Sequence, residues 1–481
     1  MKKAVDILII LFVLSLFAQS MISQTASERA IDSMVLADME AARAPGAMIL
    51  VTRDGAPLFE KAYGIRNAKT KEPVTPSTLF LTASVTKTVT TTVLLTLCHE
   101  KGISTDTPIG SILDSLPSEI ATLTIHRILS QSSGILDHKP TRKKWKNDAM
   151  AYFSHYGNKL FSKPLEGVFS YTNYGHVLAG LLIEKISGAP FEETVQKQIF
   201  DPLDMTRSTY SVVDEKWNNH ASAHRGGKAV KHGYTFPMIK SSASLFCTAE
   251  DLSKFATCFM NKGQHQGIQV IPERVIQQMS GPYTPVGVLH NYFGYPGSHY
   301  GYGLMSFQYK GRSFVGHPGE TTTQNLLFAM SPDTKTSFVL MSNAGAFPFI
   351  RSFERLAETF LDPEETMDPK GTMDSKETSI NADYAEKSLS PDDIRAYKGL
   401  YFTPDISGDR RADLEVYAKS NQLYLEFSEE DVHKLTWIGE DLFRYDSPQL
   451  KFPVEVRFYR DEKGRVRYLN HYWRTSVKIK P

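Results

Sequence analysis

A serine and a lysine three positions apart give this sequence its clearest chemical signal. Ser84 and Lys87 open an apolar segment, and at that spacing both side chains lie on one face of a helix. An amine so placed can take the hydroxyl proton, which makes a serine nucleophilic without a histidine. Such a pair arises by chance roughly one to three times in a chain of this length, so its surroundings decide its meaning.

The residues after this pair predict a helix that starts near Ser84. Four apolar residues recur at helical spacing and would bury one side of it: Val85, Val89, Val93 and Leu97. Gly102 predicts where the helix ends. Ser84 would then lie at the positive end of the helix dipole, where free N–H groups stabilise a developing oxyanion.

Two later segments offer the other groups that an activated serine needs. Tyr171 and Asn173 precede an apolar helix predicted over residues 177–186, and they supply a second proton carrier and a donor to a substrate. His317 lies in a glycine-containing stretch, residues 315–320, that ends one predicted strand just before the next. Each segment is commonplace alone, and their order along the chain is what makes them informative.

With all three segments in this order, the sequence resembles the serine β-lactamase and penicillin-binding protein superfamily. It is most similar to the group that contains class C β-lactamases, D-Ala-D-Ala carboxypeptidases with a histidine third motif, D-aminopeptidases and related esterases. The resemblance covers about residues 26–361. Three further segments resemble motifs of the family: residues 123–137, 199–209 and 244–255.

The resemblance implies an acyl-enzyme mechanism. Ser84 would be the acylated nucleophile, Lys87 its amine partner and Tyr171 the proton shuttle. The positive charge of Lys87 would favour the phenolate form of Tyr171 in a dry site, whereas burial alone would oppose that form. The two charges therefore have to lie close together.

The same resemblance implies the substrate-binding residues. Asn173 would donate to the amide of the substrate, and His317 takes a place where many relatives have lysine. Gly319 and Glu320 complete the set. The backbone N–H groups of Ser84 and Glu320 would form the oxyanion hole.

Two departures from the family pattern bear on the substrate. Pro318 replaces a hydroxyl residue that helps relatives hold a substrate carboxylate, and it offers neither a hydroxyl nor an N–H. Glu320 replaces a small residue, and its carboxylate would repel an acidic substrate. Both argue against a dedicated β-lactamase. His317 further predicts that turnover of carboxylate-bearing substrates rises toward acid, because imidazole changes charge between about pH 5 and 8.

The first 22 residues are typical of an export signal, with two lysines, an apolar stretch over residues 7–18, and then small and polar residues. Ala18 and Ser20 offer a cleavage site, Ser23 or Gln24 are alternatives, and an uncleaved N-terminal anchor is the competing interpretation. The apolar stretch is short for a membrane span. We therefore expect a periplasmic or secreted mature chain without a stable membrane span.

Charge and cysteine content exclude some other functions. Without residues 1–20, the 54 basic and 53 acidic residues become 52 of each, and this balance gives no indication of nucleic-acid binding. Cys98 is expected to be a small buried residue, and a bridge between Cys247 and Cys258 is left open. A basic segment, residues 139–146, is interpreted as a solvated face or as an anion-attracting rim of the cleft.

The pattern of elements predicts an α+β fold with an antiparallel sheet flanked by helices and a small C-terminal β domain. The resemblance implies that this fold is of the β-lactamase/transpeptidase type, with a helical subdomain. An early helix over residues 25–42 and a hairpin that turns at Asp54 and Gly55 come first. A mostly helical middle follows. The chain then returns in three strands and a helix, predicted at residues 313–316, 325–330, 336–342 and 348–361.

We predict four parts of the chain: a signal peptide (1–22), a β-lactamase-like hydrolase domain (23–361), an acidic linker (362–388) and a small lipocalin-like β domain (389–481). The last begins with a short helix capped by Ser390. Its strands alternate apolar and polar residues, at 414–418, 423–427 and 454–458.

Taken together, the residues predict an exported serine hydrolase that acts through an acyl-enzyme on amide or ester bonds, in D-amino-acid peptides or small esters. This chemistry needs no metal or organic cofactor, and the partner is a small-molecule or peptide substrate. Two alternatives are a β-lactamase and a catalytically silent penicillin- or peptide-binding receptor. The oligomeric state is left open.

Overall fold

The computed structural model of the chain describes residues 26–135, 148–157, 168–212, 217–230, 237–286, 295, 297–345, 347–361, 389–403, 412–428, 430–447, 452–461, 463–471 and 474–480. Three predicted features lie outside these residues: the export signal, the basic segment 139–146 and the acidic linker. None of the helices within the described ranges combines the length and the hydrophobicity that crossing a bilayer requires.

An eight-stranded antiparallel sheet forms the centre of the first part of the chain. From one edge to the other its strands are β10 (Thr284–Pro285), β11 (His299–Tyr300), β12 (Met305–Tyr309), β13 (Arg312–Glu320), β14 (Asn325–Ser331), β15 (Thr336–Ser342), β1 (Gly46–Arg53) and β2 (Ala56–Gly64). The N-terminal hairpin joins the returning chain where Ala47 pairs with Ser342 and Arg53 pairs with Thr336. The two ends of this part of the chain therefore pair within one sheet, next to its edge strand β2.

Helices cover both faces of this sheet. In chain order they are α1 (Ala26–Ala41), α2 (Thr86–Lys101), α3 (Ser118–Ala121), α4 (Ile125–Leu129), α5 (Ala149–Tyr156), α6 (Tyr174–Ser187), α7 (Phe191–Val195), α8 (Lys240–Ala243), α9 (Ala249–Met260), α10 (Glu273–Met279) and α11 (Phe349–Leu361). On β1, Met48 and Leu50 face one hydrophobic core, and Ile49 and Val51 face another. Since successive strand residues point to opposite faces, β1 is buried on both sides.

Short strands and turns complete this part of the chain. β3 (Phe80–Leu81), β7 (Phe246–Cys247) and β4 (Ser208–Thr209) form a small sheet in that order. β5 (His224–Arg225) pairs with β6 (Lys228–Ala229), and β8 (Gln264–His265) pairs with β9 (Ile268–Gln269). Three 3-10 turns lie at Ala83–Val85, Ile109–Ser111 and Pro237–Ile239, and a π-helical turn lies at Gln196–Phe200.

The C-terminal part of the chain has its own core. It begins with α12 (Pro391–Tyr397), whose capping box joins Ser390 to Asp393. Nine antiparallel strands follow in a barrel-like sheet, ordered β19 (Asp431–Lys434), β18 (Gln422–Ser428), β17 (Ala412–Lys419), β16 (Gly399–Thr403), β24 (Arg474–Lys480), β23 (Val466–His471), β22 (Phe452–Arg460), β21 (Leu442–Ser447) and β20 (Thr436–Gly439). Tyr401, Leu425 and Phe443 lie at the centre of its core.

The predicted fold class is confirmed: helices flank an antiparallel sheet, and a separate β sheet follows. The hairpin turns where predicted, since Asp54 and Gly55 have the positive φ angles, 49° and 81°, of a tight hairpin turn. Two elements are longer than predicted, because β13 runs on to Glu320 and α6 begins at Tyr174. The cysteines are all free and buried, so the bridge left open between Cys247 and Cys258 does not form.

Candidate active site

Ser84 lies in the 3-10 turn that leads into α2. Ala83 before it has φ of 47°, a left-handed conformation that costs a non-glycine residue about 1–3 kcal/mol. The turn is held from outside, because Thr82 N donates to the backbone oxygen of Leu245 at 2.8 Å. Ala83 and Val85 are buried while Ser84 is half-buried, so the turn presents the serine side chain at the protein surface.

Lys87, in the first turn of α2, is fully buried, and its amine contacts Ser84, Asn173 and Ser242. Its Nζ lies 3.1 Å from Ser84 Oγ, 2.7 Å from Asn173 Oδ1 and 3.0 Å from the backbone oxygen of Ser242. The oxygens of an amide and a carbonyl only accept hydrogen bonds, so two N–H groups are committed to Asn173 and Ser242. The third hydrogen-bonding position of the Lys87 nitrogen therefore faces the Ser84 hydroxyl.

Asn173 stands at the N-cap of α6 but does not cap the helix with its side chain. Asparagine usually does so at this position. Here Thr172 supplies the cap, since its Oγ1 accepts from Tyr174 N at 3.1 Å. The amide of Asn173 is thereby available to Lys87, and α6 is tied to α2 at their N-terminal ends.

Gln131 is a positioning residue that sequence reasoning missed. It is fully buried, and its side chain bonds both backbone groups of Thr172: Oε1 accepts from Thr172 N at 2.9 Å, and Nε2 donates to Thr172 O at 3.1 Å. Its own backbone oxygen accepts from Ser170 N at 2.8 Å. One buried glutamine therefore fixes the backbone on both sides of Tyr171. Its position within the family-like segment 123–137 was the available signal.

The ring of Tyr171 lies against Lys87 and an aromatic wall. The Nζ of Lys87 is 4.9 Å from the centre of the Tyr171 ring. The rings of Tyr300 and His317 lie 6.2 Å and 6.1 Å from that ring, centre to centre. A phenol, an ammonium-forming amine and a serine hydroxyl therefore border one half-buried hollow.

His317 is buried in this wall as a neutral imidazole. Its Nδ1 donates to the backbone oxygen of Pro318 at 2.6 Å, and its Nε2 accepts from the hydroxyl of Tyr300 at 2.9 Å. Burial, and then the charge of Lys87, lower the pKa of His317 to about 3. The expectation that His317 changes charge between about pH 5 and 8 is wrong for this structure, because both ring nitrogens serve protein partners and the ring is out of water.

A second histidine lies behind Lys87. His176, in the first turn of α6, is fully buried, and its Nε2 lies 3.1 Å from Thr91 Oγ1. Burial, and then the charges of Lys87 and His317, hold the pKa of His176 well below its usual value. Two neutral imidazoles thus flank the Lys87 amine, and neither adds a competing positive charge.

Gly319 brings β13 against the nucleophile turn. A Cβ at this position would lie 2.1 Å from the backbone oxygen of Thr82, a distance that no side chain tolerates. The end of β13 therefore touches the residue two before Ser84, and the exposed Glu320 follows at once. This contact holds the turn that contains Ser84 against the end of β13 that carries Glu320, and these two residues are the predicted oxyanion-hole pair. Pro318 lies between His317 and Gly319 and pairs with Leu327 of β14.

The structure thus brings together all seven residues that the sequence singled out: Ser84, Lys87, Tyr171, Asn173, His317, Gly319 and Glu320. Their roles stay predictions, apart from the correction at His317. Among the described residues, no group of three or more histidine, cysteine, aspartate and glutamate side chains is arranged to hold a metal ion.

An antiparallel sheet with a serine and a lysine three positions apart at the start of a buried helix is typical of serine β-lactamases and penicillin-binding proteins. The Beta-lactamase family model matches residues 31–359, which is more than half of the chain. The chain belongs to this family, and the resemblance drawn from the sequence is confirmed. The fold and the family support hydrolase activity in general.

Two relatives are similar over part of their sequences. Protein flp of Staphylococcus aureus (strain NCTC 8325 / PS 47) is 27% identical over 246 residues, which are 49% of this chain and 49% of that protein. The similarity thus spans about half the length of that relative. Penicillin-binding protein 4 of Amycolatopsis lactamdurans is 25% identical over 319 residues, 63% of this chain and 81% of that protein.

A solved structure shares the whole architecture. The crystal structure of SurE superimposes with a TM-score of 0.72 and covers 94% of this chain and 99% of that one, at 23% sequence identity. At this identity the likeness shows the fold, including the presence of the C-terminal sheet after the hydrolase-like part.

Proposed function

We propose that this protein is an exported serine hydrolase that cleaves amide or ester bonds through an acyl-enzyme on Ser84. The observation that carries the proposal is the Lys87 amine, 3.1 Å from the Ser84 hydroxyl, with its other two N–H directions taken by Asn173 and Ser242. In the neutral amine the remaining position is a lone pair. The Ser84 hydroxyl then donates to it, so deprotonation needs no movement.

Acylation follows from this geometry. Ser84 Oγ attacks the substrate carbonyl carbon while its proton passes to Lys87, and the oxyanion forms against the backbone N–H groups of Ser84 and Glu320. Collapse of the tetrahedral intermediate breaks the bond to the leaving group, which takes a proton from the phenol of Tyr171. The Lys87 ammonium beside the ring returns a proton to the phenolate, and the amine is neutral again.

Deacylation uses the same groups in reverse order. A water molecule attacks the acyl carbon while its proton passes to the Lys87–Tyr171 pair. A second tetrahedral intermediate forms and then collapses. The Ser84 oxygen leaves with a proton, and the product is a carboxylic acid. No step needs a group outside these residues, the substrate and water.

The proposed substrate class follows from the groups at the end of β13, which are not suited to bind a carboxylate. His317 is neutral and engaged, Pro318 has no donor, and Glu320 adds a carboxylate, so this strand offers no anchor for a free substrate carboxylate. Esters and amides with a neutral or cationic end fit this better than acidic peptides. SurE, which has the same fold, has been solved with D-Leu, and D-aminoacyl compounds are therefore the first substrates to test.

The test replaces the nucleophile. We expect Ser84→Ala to abolish covalent labelling by a fluorophosphonate or a fluorescent penicillin, and hydrolysis of D-aminoacyl amides and short esters with it. Ser313→Ala, which also removes a half-buried hydroxyl, is the matched control and should label like the wild type. Equal labelling of wild-type and Ser84→Ala proteins would refute the proposal.

The two alternatives give different results in the same assays. Steady hydrolysis of nitrocefin faster than of any ester or D-aminoacyl amide would indicate a β-lactamase. A single burst of product without turnover would indicate a penicillin- or peptide-binding receptor. Export, to the periplasm or the medium, is proposed from residues 1–22 and is tested by locating the full-length chain in cell fractions.

A further inference from the structure

The C-terminal β sheet reaches into the neighbourhood of the candidate active site. The hairpin of β23 and β24 places two side chains on one backbone oxygen of the hydrolase-like part, that of Phe169. Asn470 Nδ2 donates to it at 2.9 Å, and Thr475 Oγ1 donates to it at 2.6 Å. The two side chains also bond each other, Nδ2 to Oγ1, at 3.1 Å.

All three residues are buried. The exposed fractions are 5% for Asn470, 4% for Thr475 and 1% for Phe169. A hydrogen bond out of water is electrostatically stronger than one at the surface, and the loss of a buried donor leaves its acceptor poorly solvated. The contact is therefore a specific junction between the two parts of the chain.

The position of Phe169 links this junction to Tyr171. Phe169 is two residues before Tyr171, and its ring lies 6.5 Å from the ring of Tyr171, centre to centre. After Phe169, the backbone of Ser170 and Thr172 is held by Gln131. The segment that carries Tyr171 is thus fixed by Gln131 within the hydrolase-like part and by Asn470 and Thr475 at its start.

We propose that Asn470 and Thr475 are positioning residues for the proton carrier Tyr171, so that the C-terminal sheet is a working part of the active site. The inference rests on the proposed function. Displacement of the Phe169 carbonyl shifts the backbone that sets the phenol against the leaving group. The rate of proton transfer depends steeply on distance and angle, so a shift of about 1 Å lowers this rate by up to about a hundredfold.

The experiment compares two leaving groups. A p-nitrophenyl ester releases a stable phenolate that needs no proton, whereas a D-alanine p-nitroanilide must receive one at nitrogen as the bond breaks. In full-length protein we expect Thr475→Val, which removes only the donor, to lower kcat/KM for the anilide at least about fivefold and for the ester less than twofold. Asn470→Leu combined with Thr475→Val should lower the anilide value at least about thirtyfold.

Rescue and control variants separate positioning from loss of folded protein. Thr475→Ser keeps the donor and should retain the wild-type ratio of the two rates. Thr436→Val, in β20 of the same sheet, removes a hydroxyl away from the junction and should also retain the wild-type ratio of the two rates. Misfolding lowers both rates by the same factor, so an unchanged ratio in Thr475→Val and the double variant would overturn the inference. If Ser84→Ala stays active, the proposed function itself has failed.

Discussion

At the scale of the residue, the Lys87 amine is oriented by two acceptors, and one of them is a side chain that can be removed. We expect Asn173→Ala to lower kcat/KM about a hundredfold, because the amine loses its 2.7 Å partner and with it the direction of its third position. The unfolding free energy should also fall, by about 1–3 kcal/mol, because a buried N–H of Lys87 loses its acceptor. Steady-state kinetics and urea unfolding of the same samples check both expectations.

Thr172 supplies the matched control for Asn173. Its hydroxyl accepts from Tyr174 N, so Thr172→Ala should lower the unfolding free energy by about 1 kcal/mol, the usual loss at an N-cap. If Asn173→Ala destabilises the protein but leaves kcat/KM intact, as expected of Thr172→Ala, Asn173 has only a structural role and its place in the mechanism is wrong.

The order of the three motifs, and the family resemblance that they carry, predicted which side chains meet. Ser84 and Lys87 are linked by helical geometry alone, and Tyr171 and Asn173 by their place before a helix. The protonation state of His317 could not be predicted, because it depends on the burial of the ring and on its contact with Tyr300, 17 residues away, which no local pattern shows. Gln131 gave only a weak signal, since a glutamine that bonds backbone looks like any polar residue in the sequence.

At the scale of the element, the end of β13 is shaped by its contact with the nucleophile turn. Gly319→Ala places a methyl group 2.1 Å from the Thr82 oxygen, and β13 and the turn must separate. We expect kcat/KM to fall at least about a hundredfold, because removal of one oxyanion donor alone costs that much. Stopped-flow or steady-state assays with the ester substrate measure the change in kcat/KM.

The other end of the same strand offers a control. Gly311 lies in the turn before β13 with φ of 74°, open space surrounds its Cβ position, and asparagine tolerates such angles. Gly311→Asn should keep the wild-type kcat/KM. Wild-type activity in Gly319→Ala would show that the strand end and the turn do not need this close approach.

Element boundaries were predicted well where local chemistry sets them. The hairpin at Asp54, the end of α2 at Gly102 with φ of 67°, and the Ser390 cap all follow from residue preferences. The strand was predicted over residues 313–316, which leaves residues 317–320 beyond its predicted end. The structure keeps them in β13, since β14 pairs with the strand up to Glu320 while β12 pairs with it only up to Gly316.

Helix α2 shows a second limit of pattern reasoning. The row of Val85, Val89, Val93 and Leu97 is buried as predicted, but so is the opposite side of the helix. That side carries threonines that bond other elements: Thr88 donates to the backbone oxygen of Gly303 and Thr90 to that of Ser241. A threonine-rich face looks solvent-exposed in a sequence, and only its distant acceptors make it part of the core.

At the scale of the whole molecule, the order of the chain in the sheet brings distant segments to the site. Strands at both ends of the hydrolase-like part predicted a sheet completed by the returning chain, and the structure shows that β15 pairs with β1. The junction of Asn470 and Thr475 with Phe169 was not predicted, because a contact across about 300 residues leaves no local pattern. The C-terminal β sheet therefore looked like an appendage in the sequence, whereas the structure joins it to the segment of Tyr171.

The buried histidines predict how the whole protein responds to acid. His176 and His317 have folded-state pKa values below the usual 6.5, the latter about 3, and the unfolded chain therefore binds more protons than the folded one below pH 6.5. Stability is full above that pH and falls as the pH drops, by up to about 1.4 kcal/mol per pH unit for each histidine. Urea unfolding between pH 7 and 5 measures the slope. His317→Gln keeps an acceptor for Tyr300 and removes one titration, so its slope should be shallower. A variant that loses stability with acid as steeply as the wild type would show that His317 is not held neutral in the fold.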